Sequence, residues 1–374
     1  MKVCHITSVH IPFDTRIFYK ECRSLVRAGY EVHLVARHDG DEVIDGIMIH
    51  GFRPRKGKLM RMLFSTRDVY RKAVDIDADL YHFHDPELMP FGLLLKLRGK
   101  RVICDVHEDY PDYIAYKNTI PWILRKPAAV ITGLIERLSA RFYDAVVTVT
   151  PKLYNRFKRY NDRTLEVRNF PFLDELAPGG KAWEERQDAV MYVGSLTLDR
   201  GIEEMIHAAA IARRKRGVKF ILGGAFPSPA VMKHLTGMPE FRHVDYRGFM
   251  SREEIAAALA DVKAGIVFTH ANTNHMNAYM TKLFEYMAAG IPAIASDYPL
   301  WRKIVDGAGC GVLVEPVNVE ALAEAIIAVL EKPEEAQEMG RRGRKAIEEQ
   351  YNWENEEQVL LGVYGEVLGE IPGT

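Results

Sequence analysis

Thr281-Lys282-Leu283-Phe284-Glu285-Tyr286-Met287-Ala288-Ala289-Gly290-Ile291-Pro292-Ala293-Ile294-Ala295-Ser296-Asp297 decides the fold. It reads as a short helix, a glycine stop and a buried strand. Thr281 is the expected helix cap, and Gly290 the residue that takes the left-handed conformation ending it. Ile291 to Ala295 is a short apolar run, the pattern of a strand covered on both faces. A helix start offers free amides and the positive end of a dipole, which suits a phosphate. Lys282 adds a mobile cation. Glu285, about one turn on, can accept hydrogen bonds from sugar hydroxyls. The stretch suits a nucleotide held by diphosphate and ribose. Its plainer reading is a core-packed helix with one solvated glutamate.

Working outward, the same strand-loop-helix order recurs on both sides. Val3–Thr7, Glu31–Ala36, Ala78–Phe83, Arg101–Val106 and Ala145–Thr150 read as strands. Helical spacing runs over 15–28, with Ile17, Phe18, Cys22, Leu25 and Val26 on one face, and over 122–142. Val43 to Ile49 reads as a hairpin on an Asp-Gly turn. Residues 169–181 lack periodicity and carry Pro and Gly, so the linker is placed there. Then Ala189–Val193, Val218–Leu222, His243–Arg247, Gly265–Phe268 and Val312–Glu315 restart the strands. The rest is helical, with breaks near Pro333 and Trp353. This pattern predicts an α/β protein of two doubly wound, Rossmann-like domains. Residues 1–172 form the first domain and 173–352 the second, and ligands at both carboxyl edges are expected to meet in a cleft.

Composition sets limits. The chain has 374 residues, 48% hydrophobic, with a formal net charge of -1. Bulk electrostatic binding to nucleic acid is not expected from that balance. There is no apolar stretch of about 18 residues to cross a membrane. The start shows no signal-peptide layout, so a cytoplasmic protein is expected. Cys4, Cys22, Cys104 and Cys310 are scattered, without metal or redox spacing.

Candidate site residues cluster where strands end. The first turn lacks the glycine-rich dinucleotide fingerprint, and Asp14 and Arg16 put charge there instead; the plainer reading is a cap and a surface ion pair. His82-Phe83-His84-Asp85-Pro86-Glu87 and His107-Glu108-Asp109-Tyr110-Pro111 put imidazole and carboxylate at two neighbouring ends. A metal site is one reading of these, against which stands the lack of a closed-site spacing. In the second half, Gly194-Ser195 opens a loop ending at Arg200, Gly223-Gly224 follow a strand, and Gly248-Phe249-Met250 follow another. The basic run Arg53 to Lys58 and the start of the 122–142 helix, Trp122-Ile123-Leu124-Arg125-Lys126, are compatible with peripheral contact at the inner face of a membrane. Solvated loop and partly buried helix are the commoner forms of both.

Lys282-Leu283-Phe284-Glu285-Tyr286-Met287-Ala288-Ala289-Gly290-Ile291-Pro292 resembles the donor-binding motif of glycosyltransferase family 4. Asp14-Thr15-Arg16-Ile17 and Asp105-Val106-His107-Glu108-Asp109-Tyr110-Pro111 look like that family's first half. The resemblance implies a GT-B fold and a retaining hexosyl transfer from a nucleotide-sugar donor, UDP-linked by family habit. The acceptor would be a glycan, a lipid-linked group or a small molecule, in polysaccharide or glycoconjugate synthesis. No cofactor and no metal would be required. The C-terminal segment, 353–374, would pack back on the first domain. By the same resemblance Glu285 binds ribose, His107 stands beside the transferred sugar, and Gly248-Phe249 lie along the base. Arg200 and Lys282 face the diphosphate, with Gly194, Ser195, Met280 and Thr281 around it. Asp14, Arg16, His84, Asp85, Glu108 and Asp109 fall on the acceptor side. The sequence departs from the family pattern at Asn277, where a glutamate is usual, and at Ser195, where an arginine is usual. These departures keep open a non-catalytic sugar-nucleotide or glycan-binding subunit. An epimerase of the same architecture and a metal hydrolase are further readings.

Overall fold

The computed structural model describes residues 1–54, 64–116, 120–176 and 181–369. The chain divides into two compact units, 1–169 with 355–374, and 170–354. The basic run after Arg53 falls largely outside the described residues.

The first unit is built on an eight-stranded sheet of order β3-β4-β2-β1-β5-β6-β7-β8. Its strands are β1 (Lys2–Ile6), β2 (Glu31–Arg37), β3 (Glu42–Ile44), β4 (Ile47–Phe52), β5 (Leu80–Phe83), β6 (Arg101–Val106), β7 (Ala145–Thr148) and β8 (Thr164–Glu166). Among the described residues, only the β3–β4 hairpin of this sheet is antiparallel. Asp45 and Gly46 make its turn, both at positive φ, as a two-residue hairpin loop requires. At the centre of the sheet the two faces differ. Cys4, Ile6, Tyr81, Phe83, Val102, Cys104 and Val106 join an apolar core. The alternate positions carry buried His5, His82 and Asp105. A strand turns successive side chains to opposite faces, so the polar residues share the other one.

The segment expected as one helix over 15–28 begins differently. Thr15–Cys22 winds in wide π-type turns and Arg23–Arg27 continues as ordinary helix. Such wide turns recur at functional positions. The helix over Trp122–Ala140 has its expected spacing but not the expected cover. Trp122 is 76% exposed, and Ile123, Leu124, Val130, Ile131 and Leu134 are all exposed as well. Periodicity names an apolar face without saying what covers it.

The second unit holds a parallel six-stranded sheet, order β11-β10-β9-β12-β13-β14. The strands are β9 (Ala189–Val193), β10 (Lys219–Gly223), β11 (Val244–Gly248), β12 (Ala264–Val267), β13 (Ala293–Ser296) and β14 (Gly311–Val314). Along β9, Ala189, Met191 and Val193 enter one core while Val190 and Tyr192 enter another. Burial on both faces is why β9, β12 and β13 are apolar runs, whereas β11 at the sheet edge alternates.

The Thr281–Ala288 helix packs on this sheet through Leu283, Phe284, Tyr286 and Met287, with a close approach at Tyr286. A Cβ on Gly265 would stand 2.2–2.5 Å from the Tyr286 ring, so only glycine lets that ring lie on β12. The Tyr286 hydroxyl then reaches the Ile266 and Met191 carbonyls at 3.3 and 3.4 Å. The cap position belongs to Met280 rather than Thr281, which is the first helical residue. Gly290, at φ 66°, stands just past the helix end.

Candidate functional site

In the second unit the carboxyl ends of β9, β10 and β11 are bare backbone. Gly194 has φ 147° and Gly224 has φ 136°. A Cβ on Gly224 would stand 1.8 Å from the Gly194 carbonyl oxygen. Lys282 occupies the space this leaves. A Cβ on Gly194 would meet Lys282 Cε at 2.3 Å and Nζ at 2.5 Å. The ammonium also lies 5.4 Å from the Tyr192 ring centroid. Tyr192 in turn donates to the Ser195 carbonyl at 3.1 Å, which shapes the loop. Burial pushes the Lys282 ammonium down to about 8; Glu285 draws it back up, and Arg200 lowers it further.

Arg200 ends a short turn, Leu198–Arg200, before Gly201 at φ 66°. Its Nη1 points at Met280 Sδ, 3.6 Å away. Arg200 and Lys282 thus flank the start of the Thr281–Ala288 helix, whose first amides have no partners inside the helix. The pair of cations and the helix start form a cradle for an anion. Ser195 is exposed at its rim.

Glu285 has a partner that the sequence did not reveal. Arg252 Nη1 donates to its Oε1 at 2.6 Å, and Arg252 Nε donates to Glu175 at 2.7 Å. Burial alone would lower the guanidinium; the two carboxylates outweigh it and raise the group above its ordinary value. One signal was there to read. Ser251-Arg252-Glu253-Glu254 is a capping box, with Ser251 accepting from Glu254 N and Glu254 from Ser251 N. That box puts Arg252 at a helix start, just past the Gly248-Phe249-Met250 loop. Of these three, Gly248 turns at φ 66°, Phe249 is 84% exposed and Met250 is buried.

The first unit gathers a polar cluster at the ends of β1, β5 and β6. Asp14 caps its helix, accepting from Arg16 N at 2.9 Å and Ile17 N at 3.1 Å. Burial raises its carboxyl, but His10 and those amides hold it well below the usual range. Arg16 is not the surface charge expected at this edge. It is buried, with Nε 3.1 Å from Asp105 Oδ2 and Nη1 donating to the Val167 carbonyl at 2.8 Å. A charged side chain reads as solvated until its partner is seen, and this partner lies 89 residues away. Asp85 ties down the loop after β1, accepting from Thr7 Oγ1 at 2.8 Å and Ser8 N at 2.6 Å.

His107 stands at the rim with its ring 22% exposed. Its Nε2 lies 3.3 Å from both Asp105 Oδ2 and His84 Nδ1. Asp105 thereby fixes the ring from behind, while the His10 ring stands 6.3 Å off. Glu108 is exposed. Asp109 is paired, to Arg156 at 2.7 Å and Lys152 at 3.0 Å. So the structure brings His107, His84, Asp85 and Asp14 into one cluster, and directs Arg16 and Asp109 into internal ion pairs.

The family described as Glycosyl transferases group 1 matches residues 175–346, and that described as Glycosyltransferase Family 4 matches residues 15–167. The alpha-D-kanosaminyltransferase of Streptomyces kanamyceticus is 26% identical over 180 residues, covering 48% of this chain and 45% of that one. The chain thus spans less than half the length of that relative. Among solved structures, a sucrose-phosphate synthase from Thermosynechococcus elongatus has a TM-score of 0.78 at 17% identity, covering 99% of this chain and 100% of the other. Anabaena Alr3699/HepE in complex with UDP-glucose has a TM-score of 0.72 at 14% identity, covering 98% and 100%.

Proposed function

As the chain belongs to glycosyltransferase family 4 and has the GT-B fold, we propose that it moves a hexose from a nucleotide-sugar donor to an acceptor with retention of configuration. The observation that carries this is the cradle of Lys282, Arg200 and the Thr281 helix start against bare Gly194 backbone. Breaking a glycosyl-phosphate bond develops negative charge on the leaving diphosphate. Donors fixed in advance at that charge are the largest common source of rate enhancement. Two cations and a helix start supply this without a metal ion. HepE was solved with UDP-glucose, which supports a uridine nucleotide as the first donor to try.

Glu285 would accept the ribose hydroxyls, held in position by Arg252. His107, fixed by Asp105, would orient the transferred sugar. The leaving phosphate oxygen would take the acceptor proton as the acceptor oxygen attacks from the same face. The carbon-oxygen bond to phosphate breaks as the new glycosidic bond forms, and the proton leaves on the diphosphate. The acceptor is a glycan, a lipid-linked group or a small molecule. The exposed apolar face of the Trp122–Ala140 helix supports peripheral binding at the inner face of a membrane. No helix of the described residues is long and apolar enough to cross one.

Glu285→Ala should abolish nucleotide release from donor, and product NMR should show the donor's anomeric configuration. Wild-type turnover in that variant, or an inverted product, overturns the reading. A second reading is a non-catalytic binding subunit, favoured by the Arg252 contact that already occupies Glu285. Donor binding without turnover across a broad acceptor screen would establish it instead. For the membrane contact, Trp122→Glu with Ile123→Glu should abolish sedimentation with anionic vesicles.

A further inference from the structure

The interior of the first unit holds an arrangement that extends past the transfer site and shares only His84 with the cluster around His107. His5 and His82 are register partners on adjacent strands β1 and β5, and His84 follows two residues on. All three rings, with Glu21 from the helix above them, are buried. Core positions of a parallel sheet ordinarily carry Val, Ile or Leu. Four titratable side chains at one such place need a reason.

Their mutual geometry supplies one. His5 Nδ1 lies 3.0 Å from His84 Nε2. Glu21 Oε2 lies 3.7 Å from each of those nitrogens. With one ring nitrogen of His82 they form a group of four ligand atoms all within 4.8 Å of one another. Bonds of about 2.0–2.1 Å from a tetrahedral ion put its ligands roughly 3.3 Å apart. The separations among His5, His84 and Glu21, 3.0–3.7 Å, bracket that figure.

The far side of each ring is held by an oxygen. His84 Nδ1 faces Asp105 at 3.3 Å. His5 Nε2 and His82 Nδ1 each lie 2.9 Å from the Tyr364 hydroxyl. A ring nitrogen held in this way keeps its proton and leaves the opposite nitrogen's lone pair free. This is the outer arrangement of metal-bound imidazoles. The inner atoms are short of donors. Among the described residues, Glu21 Oε1, Glu21 Oε2 and His82 Nε2 have no hydrogen-bond partner, although Arg16 Nε stands 2.9 Å from Glu21 Oε1 as an ion pair. Buried acceptors without donors are costly in a folded protein. A cation would satisfy them together.

We propose that His5, His82, His84 and Glu21 bind one divalent transition-metal ion inside the first unit, with zinc the best match to three imidazoles and a carboxylate. All four positions are protein atoms, so the site is closed and its role is to hold β1, β5 and the Thr15–Cys22 segment together. It belongs to the other unit from the diphosphate cradle and supplies no reacting atom, although His84 and Asp105 stand against His107.

The test uses the full chain, purified without a histidine tag. Elemental analysis after dialysis should find about one zinc per chain, and less than about a tenth of that in His82→Gln and Glu21→Gln. Because these variants can fail to fold, the wild type is also unfolded with chelator and refolded with cobalt(II). It should show the visible absorption of tetrahedral cobalt, and the ion-free refolded chain should unfold at a lower temperature. A folded wild type with no bound ion and no cobalt band overturns the proposal. So does zinc retained in full by folded variants. Both measurements are independent of donor turnover, so the site can fail while the transfer reading stands.

Discussion

Lys282 is the residue whose chemistry is most open to measurement. With its ammonium pushed down to about 8, it is mostly charged at neutral pH and mostly neutral above pH 9. A bound diphosphate favours the charged form, so binding draws a proton onto the residue. Affinity for UDP should therefore hold below pH 8 and fall toward tenfold per pH unit above it. Calorimetric titration at several pH values reads this directly, and Lys282→Ala should bind weakly without the break near pH 8. Folding stability moves the other way. The group binds more protons unfolded than folded between about 8 and 10.5, so the empty chain gains stability as pH rises through that window. Arg252→Ala should raise KM for the donor about tenfold, roughly 1.4 kcal/mol, with kcat little changed. Arg252→Lys should recover part of the loss. At this scale the sequence was legible where the backbone itself dictates the residue, as at Gly290. It was opaque at Arg16 and Arg252, because a charge does not name its partner.

Among the elements, the Thr281–Ala288 helix depends on the absence of one side chain beneath it. Gly265→Ala would drive a methyl group into the Tyr286 ring. Overpacking of this kind costs about 1–3 kcal/mol, which the denaturant midpoint would report. It should also weaken UDP binding, since Lys282 and Glu285 ride on the same helix. Adding Tyr286→Ala should relieve part of the strain, giving a double-mutant cycle that is less than additive. Strands were the most readable elements. Most central ones are largely apolar stretches closed by Gly or a polar loop, and burial on both faces favours that composition. Ends were less so. Met280 rather than Thr281 precedes the helix, and the π-type turns of Thr15–Cys22 leave no mark in the spacing of Ile17, Phe18 and Cys22. The apolar face of the Trp122–Ala140 helix was evident, but its exposure was not.

For the whole molecule, the closing helix Trp353–Leu368 matters to the first unit out of proportion to its size. Tyr364 is fully buried against His5 and His82, and Glu356 accepts from Arg168 N at 2.6 Å. A chain ended after Glu354 should keep the second unit intact and lose at least about 3–5 kcal/mol from the first, by the cost of emptying a buried aromatic site. Scanning calorimetry should then resolve a separate, earlier transition. Equal transitions in both forms would show that the helix adds nothing there. The alternation of strand and helix announced two doubly wound sheets from sequence, because each half repeats a complete pattern. The interior chemistry of the first sheet stayed hidden. His5, His82 and Tyr364 are far apart in the chain, and the β1–β5 pairing and the packing of the Trp353–Leu368 helix bring them together.

Because residues 355–368 follow the second unit in the chain yet pack into the unit before it, the order of synthesis is not the order of completion. A ribosome releases the whole second unit before the first can close. The earlier half must wait, with the hollow for Tyr364 unfilled, while about half the protein is still being made. A chaperone that follows this nascent chain should therefore let go of its second half first.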